Sequence, residues 1–178
     1  MDSWIVAFWF FLPAGLANMA PVLANKIPGW NRWKTPLDLG GTFRGGRILG
    51  DNKSMRGVVS GVILATIIAT IENLTVHSHL LPTTLWWPIL GGLMGIGALL
   101  GDAGESFFKR RISRKPGQSW FPFDQTDYIV GGLLVGLPFL SDYHHLTALI
   151  IRVFILYFGL HLSSVYIGFK LKLKDAPI

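Results

Sequence analysis

"LWWPILGGLMGIGALLGDAGESFFKRR", residues 85–111, is uncharged through its first 17 positions and carries all of its charge in the last ten. At 1.5 Å per residue, Leu85–Gly101 as a helix nearly spans a hydrocarbon core about 30 Å thick. Beyond it, Asp102, Glu105, Ser106 and Lys109 stand at i, i+3, i+4 and i+7, one face of a continuing helix. The stretch therefore predicts a helix that leaves a membrane as a polar stalk with that face turned inward. As a plain solvated helix it is also reasonable, since Glu105 and Lys109 form a favourable i,i+4 pair.

Four other segments have the same apolar character: Trp4–Ala24, Gly57–Asn73, Tyr128–Leu140 and Leu146–Phe169. The fourth crossing, Tyr128–Leu140, is short and needs its flanks. With 51% hydrophobic residues in 178 and a mean hydropathy of +0.45, the chain is too apolar for most soluble folds. Backbone groups in lipid must be satisfied within each segment, so each should be helical. The expectation is an all-α integral membrane protein of about five transmembrane helices, residues 1–178 forming one domain. The start, "MDSWIVAFWFFLP", has neither a basic leader nor a small-residue cleavage site, so no removed signal peptide is expected. Cysteine is absent, which excludes disulfides, thiolate catalysis and Cys-bound metal in this chain.

Charge orients the segments. With five crossings, the stretches 25–56 and 102–127 and the C-terminal tail share one side, and fifteen of the sixteen Lys and Arg lie there. The other side has Asp2, Glu72, Asp142 and four histidines. The positive-inside rule puts the N-terminus outside, the C-terminus in the cytoplasm and the two long loops on the cytoplasmic face of the cell membrane. A net charge of +6 then implies an anionic membrane surface and phosphate-bearing substrates rather than nucleic acid. Arg152, the one basic residue inside a helix, would snorkel or pair with Asp142 or Glu72. "HSH" (77–79) and "HH" (144–145) lack a helical spacing or a carboxylate companion, which disfavours metal there.

Small residues at four-residue spacing mark close helix packing: Gly57, Gly61, Ala65 and Ala69 in helix 2, Gly91/Gly95 and Gly97/Gly101 in helix 3, Gly132/Gly136 in helix 4. Packing within one bundle is favoured over a dimer seam. Pro13 and Pro21 break the pattern of helix 1 and should kink it. Asn18 between them either glues helices together or lines a cavity.

The first loop reads "PLDLGGTFRGGRILGDNKSMRG", residues 36–57, with six glycines among Arg44, Arg47, Lys53 and Arg56. Glycine lets backbone N–H groups approach an anion, and the cations neutralise phosphate. It is no Walker A loop. A flexible basic loop on anionic lipid fits the same composition. In the second loop Pro116-Gly117 makes a turn, and "WFPF" (120–123) suits the headgroup level. Asp124 and Asp127 follow, three apart. They would either cap the next helix or join Asp102 in a Mg²⁺ and polyphosphate site, since Mg²⁺ takes a few carboxylates plus substrate phosphates.

Both loops resemble those of the CDP-archaeol synthases and, more remotely, the CDP-diacylglycerol synthases. The resemblance rests on "PLDLGG…RGGRILGDNKSMRG", "GDAGESFFKRR…PG…DQTD" and, in helix 1, Ala17, Asn18 and Pro21. It spans nearly the whole chain. Lys115-Pro116 and Gly117-Gln118-Ser119 depart from the K-D and P-G-H-G-G of the diacylglycerol enzymes and favour the archaeol branch. The resemblance implies cytidylyl transfer from CTP to a lipid phosphate of the bis-geranylgeranylglycerol 1-phosphate type, releasing pyrophosphate, with phosphatidic acid as the alternative acceptor. It implies Mg²⁺ on Asp102, Asp124 and Asp127. Lys53, Lys109 and Arg110 would be catalytic, and Arg44, Arg47, Asp51, Asn52, Ser54, Arg56, Glu105, Ser106 and Asn18 substrate-binding. A small lipid or anion transporter is the reading from another class. It would need a polar path across the bilayer, and the helix interiors offer few polar residues and no evident two-fold repeat.

Overall fold

A computed structural model describes residues 4–75, 83–114, 118–140 and 145–170. Five helices lie where five crossings are expected: α1 (Trp4–Ala24), α2 (Met55–Thr75), α3 (Trp87–Arg111), α4 (Phe123–Gly136) and α5 (Leu146–Lys170). The His77–His79 and His144 motif positions, Asp142 and Lys115–Gly117 lie outside the described residues.

α1, α2 and α5 are each long and apolar enough to cross a membrane. α3 and α4 fall short of that mark for different reasons. α3 spends its last ten residues on the polar stalk and is diluted by glycine; α4 has 14 residues, extended by a 3₁₀ turn at Leu137–Phe139. α3 is the hub of the bundle, packing on α4, α2 and α1, while α5 closes against α1 and α4. Phe10, Phe11, Leu90, Met94, Ile129, Leu149 and Val153 are fully buried between them. Ile63, Ile67 and Ile71 form an exposed apolar stripe on α2, as a lipid-facing helix requires.

The small-residue stripes are spent inside the chain. Gly57 lies against Pro21, Gly61 against Leu99 and the Ala17 carbonyl, and Gly95 against Ala65. Gly97 and Gly101 meet the backbone of α4 at Gly131 and Asp127, so α3 and α4 approach backbone to backbone there. Pro13 and Pro21 are both contained within an uninterrupted helix. Glu72, 2% exposed, accepts the Trp87 indole N–H at 2.8 Å, so that carboxylate serves α3 rather than Arg152.

A two-stranded hairpin stands over the charged end of α3. β1 (Thr42–Phe43) runs antiparallel to β2 (Gly46–Arg47), with Thr42 opposite Arg47. Its two-residue turn, Arg44-Gly45, has positive φ at both positions (52° and 80°), the hand that matches strand twist.

Candidate active site

The stalk of α3 supplies one wall of the site. Glu105, Ser106 and Lys109 are all buried, as their shared face predicts, and Lys109 Nζ lies 2.9 Å from Glu105 Oε1. The same ammonium contacts Asp124 Oδ1 in the first turn of α4. One cation thus bridges two carboxylates from two helices.

The first turn of α4 also separates capping from other roles. The helix begins after Pro122 without a side-chain cap, and Asp124 and Asp127 both sit within it. Asp124 Oδ2 instead accepts the Trp120 N–H at 2.9 Å, folding the re-entrant "WFPF" segment back on the helix. Asp127 has no cation within ion-pair distance among the described residues. The carboxylates respond to these surroundings. Burial, then the charge of Asp102, push the Asp127 carboxyl up to about 8. Burial, then Asp124, push the Glu105 carboxyl up to about 7, with Lys109 pulling the other way. Burial works in the same upward sense on Asp124, but contacts from Glu105, Lys109 and the Trp120 N–H outweigh it and hold that carboxyl below its ordinary value.

The first loop supplies the opposite wall. Residues 35–37 pair antiparallel with 53–55: Leu37 N–H donates to the Lys53 carbonyl at 2.8 Å and Met55 N–H to that of Thr35 at 2.9 Å. From that ladder Lys53 reaches across to α3, its Nζ 2.5 Å from Asp102 Oδ2. Ser54 accepts the Gly57 N–H and so caps α2. Arg56 is buried and donates to the Asn25 side chain and the Trp30 carbonyl.

Between the walls is a cavity of about 830 Å³. Thirteen of the fifteen residues singled out from the sequence line it: Asn18, Asp51, Asn52, Lys53, Ser54, Arg56, Asp102, Glu105, Ser106, Lys109, Arg110, Asp124 and Asp127. Asn18 is thereby placed at a cavity wall. Arg44 and Arg47 do not line it. Arg44 occupies the hairpin turn, its guanidinium 5.5 Å from the Phe43 ring. Arg47 is consumed by Asp38 and Asp51, at 2.6 Å each. Asn25, Asn31, Lys34, Gln118 and His161 also line the cavity, though no spacing in the sequence marks them.

All-oxygen donors suit a hard divalent cation. Among the described residues, however, no three His, Asp or Glu side chains are already gathered as a metal cluster. Asp102 is paired with Lys53 and Asp124 with Lys109. Asp127, beside Asp102, accepts the Tyr128 N–H at 2.6 Å but has no ion-pair partner among the described residues, and the donor chemistry of the set fits a cation.

A helical membrane bundle with a charged cavity walled by lysines, arginines and carboxylates fits a class: intramembrane enzymes that handle phosphate compounds beside lipid. Comparison narrows it. The family model for CarS-like CDP-archaeol synthase matches residues 1–178, and the chain belongs to that family. It is 39% identical to the CDP-archaeol synthase of Methanospirillum hungatei over 87% of this chain and 96% of that one. It is 31% identical to that of Pyrococcus furiosus over 99% of both. A solved structure of an intramembrane enzyme of archaeal membrane lipid biosynthesis superposes with a TM-score of 0.74. It is 26% identical, covering 89% of this chain and 91% of that one.

Proposed function

We infer that the chain is a CTP-dependent lipid cytidylyltransferase that forms a CDP-archaeol-type lipid and pyrophosphate. Family membership over the whole length carries this reading, and one cavity lined by most of the residues expected to act supports it. Residues 1–178 work as one domain in the cell membrane, with the cavity on the cytoplasmic side, where the basic loops belong by the positive-inside rule.

The acceptor is a lipid phosphate of the bis-geranylgeranylglycerol 1-phosphate type. Its phosphate oxygen is already anionic near neutral pH, so no general base is required. That oxygen forms a bond to the α-phosphorus of CTP as the bond to the β-phosphate oxygen breaks, and pyrophosphate leaves with the electron pair. The difficulty is joining two polyanions. Lys53, Lys109 and Arg110 meet it from two walls, holding phosphate oxygens and neutralising the leaving group. Ser106 and Asn52 orient them by hydrogen bonds. Asp102, Asp127 and Asp124 would hold Mg²⁺, which when bound supplies Lewis-acid stabilisation of phosphoryl charge. With the nucleotide present, phosphate oxygens compete for Lys53 and Lys109 and free the carboxylates they cover.

Purified protein incubated with CTP labelled at the α-phosphate, Mg²⁺ and the isoprenoid ether lipid phosphate should yield lipid-soluble label. Phosphatidic acid is the comparison acceptor. Absence of label with either lipid under any divalent cation overturns the reading.

A further inference from the structure

Asp38 is the most heavily used side chain of the first loop, yet it does not line the cavity. Its side chain is 1% exposed. Oδ1 accepts the Gly40 N–H at 3.1 Å and Arg47 Nη2 at 2.6 Å; Oδ2 accepts the N–H groups of Leu49 at 2.9 Å and Gly50 at 3.3 Å. Burial acts to raise its carboxyl, but Arg47 and these three N–H groups outweigh it and hold the group far below the usual carboxylate range. It is a fixed anion around which the loop is wrapped.

What it fixes is the cavity wall. Leu49, Gly50, Asp51, Asn52 and Lys53 line the cavity in succession, and the first two of them end on Asp38. Gly50 takes a φ of +95°, a conformation that favours glycine, and a Cβ there would come within 3.9 Å of Arg110 Nε. Arg47 carries the same anchor onward to Asp51. The hairpin is pinned in turn by Arg111 of α3, which donates to the Phe43 and Arg47 carbonyls and lies over the Phe43 and Phe107 rings. From Asp38 the chain therefore has a fixed path to Lys53 and its contact with Asp102.

We propose that Asp38 is a positioning residue for the transfer reaction. Its carboxylate sets the backbone of residues 49–53 so that Lys53 is delivered to the phosphate-binding wall, while Asp38 itself touches no substrate. This rests on the role assigned above to Lys53. Removing the charge should keep the bundle, because the hydrogen-bond partners of Asp38 among the described residues, Gly40, Arg47, Leu49 and Gly50, all lie in the loop, and should let the wall relax.

The test is a double-mutant cycle on full-length protein in detergent, read as kcat and KM for CTP and as CTP affinity by calorimetry. Asp38→Asn should lower kcat/KM at least tenfold and weaken CTP binding, with the thermal midpoint of the bundle retained. Lys53→Met should do the same alone. The pair should cost less than twofold more than either, because both remove the same delivered ammonium. Should Asp38→Asn misfold, Arg47→Gln removes one of the donors to Asp38 more gently and should show the same coupling to Lys53→Met at smaller amplitude. Additive effects, or Asp38→Asn kinetics equal to wild type while Lys53→Met is crippled, overturn this inference alone. Wild-type kinetics for Lys53→Met overturn the site assignment and this inference with it.

Discussion

The ammonium of Lys53, from the first loop, stands 2.5 Å from the carboxylate of Asp102 at the point where α3 leaves its apolar stretch. Each occupies the partner that a substrate or cation would otherwise take. Divalent metal should therefore bind the nucleotide-free protein weakly and gain affinity once a triphosphate draws the lysine away. A coupling of about 5–150-fold is the usual scale for linked sites. Mn²⁺ titration followed by EPR, with and without CTP, checks it; equal affinity in both would show that the ion pair does not gate the metal.

Asp127 gives a pH dependence of defined sign. Its carboxyl has an ordinary value of 3.8 and is raised to about 8 in the fold. Across that interval the folded chain holds a proton that the unfolded chain has lost, so the stability of metal-free protein falls as pH rises. Thermal midpoints in detergent should decline over that window, and Asp127→Asn should flatten the slope while abolishing transfer. Glu105, raised to about 7, leaves a smaller residual slope. An unchanged slope in Asp127→Asn would place the titration elsewhere.

Lys109 neutralises two carboxylates in a buried setting. Lys109→Met leaves Glu105 and Asp124 facing each other without a cation, a loss on the order of 3–5 kcal/mol when a buried pair is broken. Glu105, already raised to about 7 and no longer pulled down by Lys109, should recover part of it by taking up a proton as pH falls through neutrality. Comparing chemical denaturation midpoints at two pH values reads both effects, and activity should be lost throughout.

The crossing of α3 and α4 tolerates no added atom. A methyl group on Gly131 would strike the Gly97 carbonyl and the Gly101 backbone, so Gly131→Ala should cost about 1–3 kcal/mol as overpacking. Gly104, on α3 beyond the crossing, has open space around it. There Gly104→Ala should be neutral or stabilise by up to about 1 kcal/mol through helix propensity. The two thermal shifts should have opposite signs or clearly unequal size.

How far the sequence could be read depended on the kind of regularity involved. Asp102, Glu105, Ser106 and Lys109 were legible because helical spacing fixes their common face, and the glycine stripes because lipid leaves few other uses for them. The apolar run Tyr128–Leu140 marks α4 only together with its polar flank, since the first turn, from Phe123, carries Asp124 and Asp127. Arg44 and Arg47 looked like phosphate ligands by composition. Which partner an arginine takes in an irregular loop depends on the path of that loop, and here one marks a hairpin turn and the other serves Asp38. Asp38 went unnoticed for the same reason, its partners being mostly backbone N–H groups that no residue pattern announces. Asn25 and Asn31, just after α1, and His161 of α5 share no spacing in the sequence, and only the bundle brings them to one cavity.

The bare contact between Gly101 and the Asp127 carbonyl divides the site into an anvil and a hammer. Asp102 and Asp127 are mounted on a helix crossing where backbone meets backbone. The other half hangs from the loop that carries Lys53. The two halves are therefore joined by side chains, Lys53 on Asp102 and Arg111 on the hairpin carbonyls, whereas the helices within the first half are joined by backbone.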